Sequence, residues 1–163
     1  VVLVSSVSRA EPAEVRKTIH DALSYALDLG HNRRKWTDRT GGLAGYDLWI
    51  ETMEQGKTGR FGLGFNAAVW AESRQFAVEF LREAGQQMGN DLDPLFDQAL
   101  AQYKTVAQCL RTVSDAYPFK ERDDEVVKVD NRAQAAVNAL KQARAAEAAG
   151  LDVLTELVAI LGN

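Results

Sequence analysis

The sequence predicts an all-α fold, a bundle of about five helices preceded by one short β-strand. Three observations carry this reading. Apolar residues recur at helical spacing in five stretches between Val15 and Val158. Breaks that contain Gly or Pro separate those stretches. Only Val1–Val7 has the β-branched, apolar character of a strand, and Ser5, Ser6 and Ser8 mark its end.

That strand is not stable in water by itself, so residues 1–8 call for a partner: an upstream domain, or a second copy of the chain. The chain starts inside this strand without a methionine, and the expectation is a piece of something longer. The 163 residues otherwise suit a single helical domain.

The first helix opens at Glu11-Pro12, with acids and a proline in its first turn, and Gly30 closes it. Its stripe is Val15, Ile19, Ala22, Leu23, Ala26 and Leu27. A polar loop from His31 to Gly42 follows. The second helix is expected from Leu43 to Gln55, with Leu43, Tyr46, Trp49, Ile50 and Met53 on one face. A glycine-rich loop from Lys57 to Gly64 leads into a third helix from Phe65 to Met88, stopped by Gly89-Asn90.

The fourth helix starts at Asp91 or Asp93 with Pro94 in its first turn, and Pro118 ends it. Its stripe runs Leu95, Ala99, Tyr103, Val106, Leu110, Val113, Tyr117. Phe119–Lys128 is a charged connection. Asp130 or Asn131 caps the last helix, which runs to Leu161 with Ala133, Val137, Leu140, Ala143 or Arg144, Glu147, Leu151, Leu154 and Val158 in its stripe. Gly150 is the position at which so long a helix would bend or break.

Composition excludes several function classes. The net charge of −4 and the pI of about 5.2 give no general affinity for nucleic acid or anionic membrane. The one basic run, His31–Trp36, reads as a solvated loop. The single cysteine, Cys109, forbids an intrachain disulfide and suits a reducing, cytoplasmic compartment. No apolar run approaches the ~20 residues that span a bilayer, and Val1–Val4, too short and without a preceding basic region, is not expected to be a signal peptide.

Chemistry-bearing patterns are sparse. Gly59, Gly62 and Gly64 before a helix start could turn backbone N–H groups and Arg60 toward an anion, but no Gly-Lys-Ser/Thr follows. The commoner role of such glycines is close packing. Cys109 lies mid-helix, where nothing lowers its pKa, and only His20 and His31 could assist it. Two histidines at unrelated spacing make no zinc site. Glu72, Glu79 and Glu83 lack the Glu-x-x-His pair of a di-metal bundle. No catalytic residue, metal or cofactor is therefore expected.

Polar residues on apolar faces are more telling. Two rows of the third helix read as buried: Asn66, Val69, Ser73, Phe76, Phe80, and Trp70, Arg74, Ala77, Leu81. A buried guanidinium keeps its proton and needs a carboxylate. Glu147, seven residues after Leu140 and four before Leu151, lies in the last helix's stripe and offers one. Tyr46, Asn66, Arg74 and Glu147 are therefore expected to meet inside the bundle. Two readings stand. In one, Arg74–Glu147 fixes helix register and Asn66 caps the third helix. In the other, Tyr46, Trp49, Asn66, Trp70, Arg74 and Glu147 line a pocket for a small molecule, such as one with a carboxylate or phosphate.

Four stretches carry a resemblance: Gly42-Leu43-Ala44-Gly45-Tyr46-Asp47-Leu48-Trp49, Phe65-Asn66-Ala67-Ala68-Val69-Trp70-Ala71-Glu72, Tyr117-Pro118-Phe119 and Ala143-Arg144-Ala145-Ala146-Glu147. Together they resemble the helical region that follows papain-like or bacteriocin-processing-peptidase-like cysteine domains in bacterial proteins related to the butirosin acyltransferase family. The resemblance implies that Val1–Val7 is the last strand of such a domain, and that the catalytic cysteine and histidine lie outside this chain. It also implies an accessory or substrate-positioning role, with Tyr46, Trp49, Asn66, Glu72, Arg74 and Glu147 as the positions to test.

The expected function is thus a non-catalytic bundle that binds a small molecule or packs on a catalytic domain. The alternatives are an accessory part of an acyltransferase- or hydrolase-type enzyme, and a structural homodimer joined through Val1–Val4.

Overall fold

The computed structural model describes residues 14–34, 40–119 and 125–162, the Asn90 side chain apart. Five α-helices pack as a bundle: α1 (Val15–Gly30), α2 (Gly42–Glu54), α3 (Arg60–Met88), α4 (Asp93–Ala116) and α5 (Asn131–Leu161). A 3-10 turn, Asn90–Leu92, leads into α4. Among the described residues no β-strand forms, and the one isolated antiparallel bridge joins Gly59 to Val126. The strand expected over Val1–Val7 and the Glu11-Pro12 helix start lie outside the described residues. No described helix is long and apolar enough to cross a membrane.

The long α5 organises the rest. Its first half, Ala133 to Ala146, shares a core with Tyr46, Ile50 and Met53 of α2, Leu63, Ala67 and Ala71 of α3, and Val106 to Val113 of α4. Its second half, Leu151 to Leu161, shares another with Ile19, Leu23 and Leu27 of α1, Val78 and Leu81 of α3, and Phe96 and Tyr103 of α4. So α3 runs parallel to α5, α4 runs antiparallel, and α1 and α2 lie end to end along one side of α5. Their junction is tight: a Cβ on Gly42, whose φ is +58°, would sit 2.0 Å from the Gly30 carbonyl oxygen. Only glycine fits both that φ and that approach.

Three expectations need correction. The helix expected at Phe65 starts at Arg60, so Gly62 and Gly64 lie inside α3 rather than in a loop. The loop segment Glu125–Val127 holds this start, with Glu125 O accepting from Arg60 N at 2.8 Å and Thr58 O from Val127 N at 2.9 Å. Gly64 is needed for packing, since a Cβ there would lie 2.3 Å from the Tyr117 carbonyl oxygen.

The second correction concerns the outer row of α3. Asn66 and Ser73 are exposed, and Phe65, Val69, Phe76 and Phe80 stand 45, 42, 60 and 37% exposed. A helix buries one stripe. Here the small residues Gly64, Ala67, Ala71, Ala84 and Gly85 are inside, because they let the α3 backbone approach α4 and α5 closely, and the phenylalanines are carried outward. Asn66 therefore neither caps α3 nor joins its buried stripe.

Third, α5 does not break into two helices at Gly150 but runs unbroken from Asn131 to Leu161. A Cβ there would lie 3.0 Å from the Tyr103 ring, so the glycine marks a close helix crossing. The expected Asp130 cap is present, its carboxylate accepting from Ala133 N at 2.9 Å.

Candidate functional site

The polar centre of the bundle is built on three helices. Arg74 lies one turn after Trp70 on α3, on the face between the buried alanines and the outer row. Glu147 lies in the buried stripe of α5, only 3% exposed. Tyr46 lies one turn before Ile50 on α2. Arg74 Nε donates to Glu147 Oε2 at 2.7 Å, and Tyr46 Oη donates to the same oxygen at 3.3 Å. The Arg74 guanidinium carbon stands 5.0 Å from the Trp70 ring centroid, and Tyr46 meets Trp70 edge-on at 6.4 Å.

The electrostatics follow from this packing. Burial pushes the Tyr46 phenol well above its ordinary value, and the Glu147 charge adds to it. Tyr103 of α4 is pushed up by the same two causes. Burial works against the charged form of Arg74, but the Glu147 charge and hydrogen bond outweigh it and raise the guanidinium pKa. Both phenols are neutral donors at neutral pH, and Arg74 is a fixed cation.

A cavity of about 1240 Å³ opens beside this centre. It lies in the seam where α1 and α2 face α3. Leu23 and Ala26 of α1, Trp49 of α2, and Ala77 and Leu81 of α3 contribute apolar wall, while Tyr103, Glu147 and Leu154 approach from the α4 and α5 side. All six residues singled out in the sequence (Tyr46, Trp49, Asn66, Trp70, Arg74 and Glu147) line it. Asn66 does so from an exposed position and makes no side-chain hydrogen bond among the described residues. Among the lining residues not singled out are Tyr103, Arg34 and Phe80. The available signal for Tyr103 was a phenol inside an apolar stripe, whose hydroxyl needs a partner or an opening.

Elsewhere the geometry supplies less. Arg144 grips Asp47 with two bonds of 2.7 and 3.1 Å on the surface. The Gly59–Gly64 segment forms the N-cap and first turn of α3 and offers no separate glycine cradle. Cys109 is buried, and burial raises its pKa. The groove it borders is lined by Lys104, Thr105, Gln108, Thr112, Asn138 and Gln142 among others, with no histidine. His20 contacts Asp21 instead. No group of three potential metal ligands occurs among the described residues.

Fold and site together define an all-α bundle with a cavity between helices and a buried ion pair at its floor. The chain matches no family model, no characterised protein and no solved structure.

Proposed function

We propose that this protein is a non-catalytic binding module that holds a small amphipathic molecule in the cavity between α1, α2 and α3. The observation that carries the reading is the coincidence of about 1240 Å³ of space with the buried Arg74–Glu147–Tyr46 cluster. An ion pair that served only helix register would need no such space. Apolar walls with a few convergent polar groups are the usual form of a small-molecule site. The resemblance stated above supports the same location, because three of its four stretches supply lining residues, among them Tyr46, Trp49, Asn66, Trp70 and Glu147. It also supports an accessory role beside a catalytic domain, and the single cysteine supports a cytoplasmic setting.

The test is a thermal-shift and tryptophan-fluorescence screen with amphipathic fragments, repeated on Ala77→Trp, which sets an indole into the cavity beside Arg74. Ligands should raise the melting temperature of the wild type and perturb Trp49 and Trp70, and should act more weakly on the variant. The reading fails if no fragment acts, or if binding to the variant is unchanged.

The outer face of α3 favours a second reading, a symmetric homodimer. Its apolar residues are spaced as a palindrome: Phe65 to Val69, then Val69 to Phe76, then Phe76 to Phe80, at intervals of four, seven and four. Antiparallel pairing with a second copy about an axis beside Glu72 and Ser73 sets Phe65 opposite Phe80 and Val69 opposite Phe76, each contact made twice. Sedimentation should find a dimer that Phe76→Glu converts to a folded monomer. A wild-type monomer at the highest soluble concentration rules this out.

A further inference from the structure

Resting on the cavity reading, we infer that the ligand carries a carboxylate on an apolar body and that the outer edge of the Arg74 guanidinium receives it. Arg74 uses Nε alone for Glu147. Its two terminal nitrogens, which are the paired donors that grip carboxylates, have no hydrogen bond among the described residues. Among the described residues no fully buried side-chain nitrogen or oxygen lacks a partner, so these nitrogens are not sealed in protein. Arg74 lines the cavity, and its 17% side-chain exposure is the access that remains.

The Tyr103 phenol is a second free donor. It lines the same cavity, makes no side-chain hydrogen bond among the described residues, and is close enough to feel both Arg74 and Glu147. Glu147 accepts from Arg74 and Tyr46 through Oε2, which leaves its Oε1 as one unused acceptor beside the two terminal nitrogens of Arg74 and the Tyr103 hydroxyl. Unused donors outnumber unused acceptors at the floor, which favours an acceptor head. Arg34, the other cation on the lining, leans on Asp28 at 3.5 Å and on the Tyr25 ring at 4.4 Å. One guanidinium already balanced by Glu147 suits a monoanion better than a dianion. Leu23, Ala26 and Leu81 offer only apolar side chains to the body of the ligand.

Four probes of equal chain length test this on the full chain below their micelle concentrations: decanoate, decanol, decyl phosphate and decyltrimethylammonium. Decanoate should bind about tenfold tighter than decanol, the gain typical of a charge-assisted bond. The double variant R74M/E147L, which exchanges the ion pair for apolar side chains, should keep decanol binding and lose the preference for decanoate. Ala77→Trp should weaken both. Equal binding of decanoate and decanol, tighter binding of decyltrimethylammonium, or tighter binding of decyl phosphate each overturns the carboxylate assignment and leaves the cavity reading standing. If no probe binds, or decanoate and decanol binding are both unchanged in Ala77→Trp, both fall. A preference for decanoate that persists in R74M/E147L overturns the role of Arg74.

Discussion

Arg74 reaches Glu147 through Nε alone, at 2.7 Å, and this one bond ties α3 to α5 at the floor of the cavity between α1, α2 and α3. A guanidinium that served only to neutralise a buried carboxylate would be expected to grip it with two nitrogens. This single bond through Nε leaves the two terminal nitrogens free, and it is the basis of the ligand assignment.

Removing the carboxylate should be costly. Glu147→Ala leaves Arg74 largely buried without a counter-ion and strands the Tyr46 hydroxyl, for a loss of about 3 kcal/mol. R74M/E147L should stay within about 1 kcal/mol of wild type or exceed it, because both charges leave together. Urea unfolding of the two variants measures both. A Glu147→Ala loss under about 0.5 kcal/mol would show that the cavity hydrates Arg74 well enough to replace its partner.

Two glycines two residues apart in α3 should respond oppositely to alanine. A Cβ at Gly62 meets nothing within 4 Å, so Gly62→Ala gains helix propensity of about 0.5–1 kcal/mol. A Cβ at Gly64 lies 2.3 Å from the Tyr117 carbonyl oxygen, so Gly64→Ala must push α3 away from the end of α4. Thermal melts should rise for the first and fall for the second. The same sign for both would contradict the helical start at Arg60.

The surface pair Arg144–Asp47 makes a pH prediction. Hydrogen bonding from Arg144, with its charge, holds the Asp47 carboxyl below its ordinary 3.8. A folded-state value below the unfolded one means that the stabilisation is complete above that ordinary value and fades as the pH falls through the lower folded-state value. Asp47 is 55% exposed, so the effect stays under about 1 kcal/mol and weakens in salt. Asp47→Asn should lower the melting temperature slightly at pH 7 and not at all at strongly acidic pH. A deficit that persists in acid would assign the loss to packing.

Cys109 should be a slow thiol. It is 7% exposed, and burial raises its pKa, so its reaction with a disulfide reagent should lag far behind that of the unfolded chain. Rapid labelling of the folded protein would reopen a nucleophilic role.

Helix number and the central contact were legible in the sequence because both follow from periodicity. Glu147 at helical spacing from Leu140 and Leu151, and Arg74 at helical spacing from Trp70 and Ala77, are polar residues on apolar stripes, and a buried charge demands its opposite. The outer face of α3 was not legible. Asn66, Val69, Ser73, Phe76 and Phe80 have the apolar rhythm of a core row, and periodicity assigns a row without saying whether anything covers it. Tyr103 was rightly read as core, but periodicity does not say that it also borders a cavity. The start of α3 was missed because glycine propensity argues for a loop, whereas the bridge between Gly59 and Val126, far off in sequence, holds Arg60 at a helix start.

By itself, then, the sequence determined an all-α chain, its helices, and the need of a charge in one helix for a charge in another. These are local pattern and the cost of burying an ion. The tertiary structure decided which stripe of α3 faces inward, how closely Gly42, Gly64 and Gly150 bring the backbones and rings around them, and that α1 and α2 stand apart from α3 beside Arg74. Those outcomes depend on side-chain volumes meeting across several helices at once, a quantity that no single helix's sequence contains.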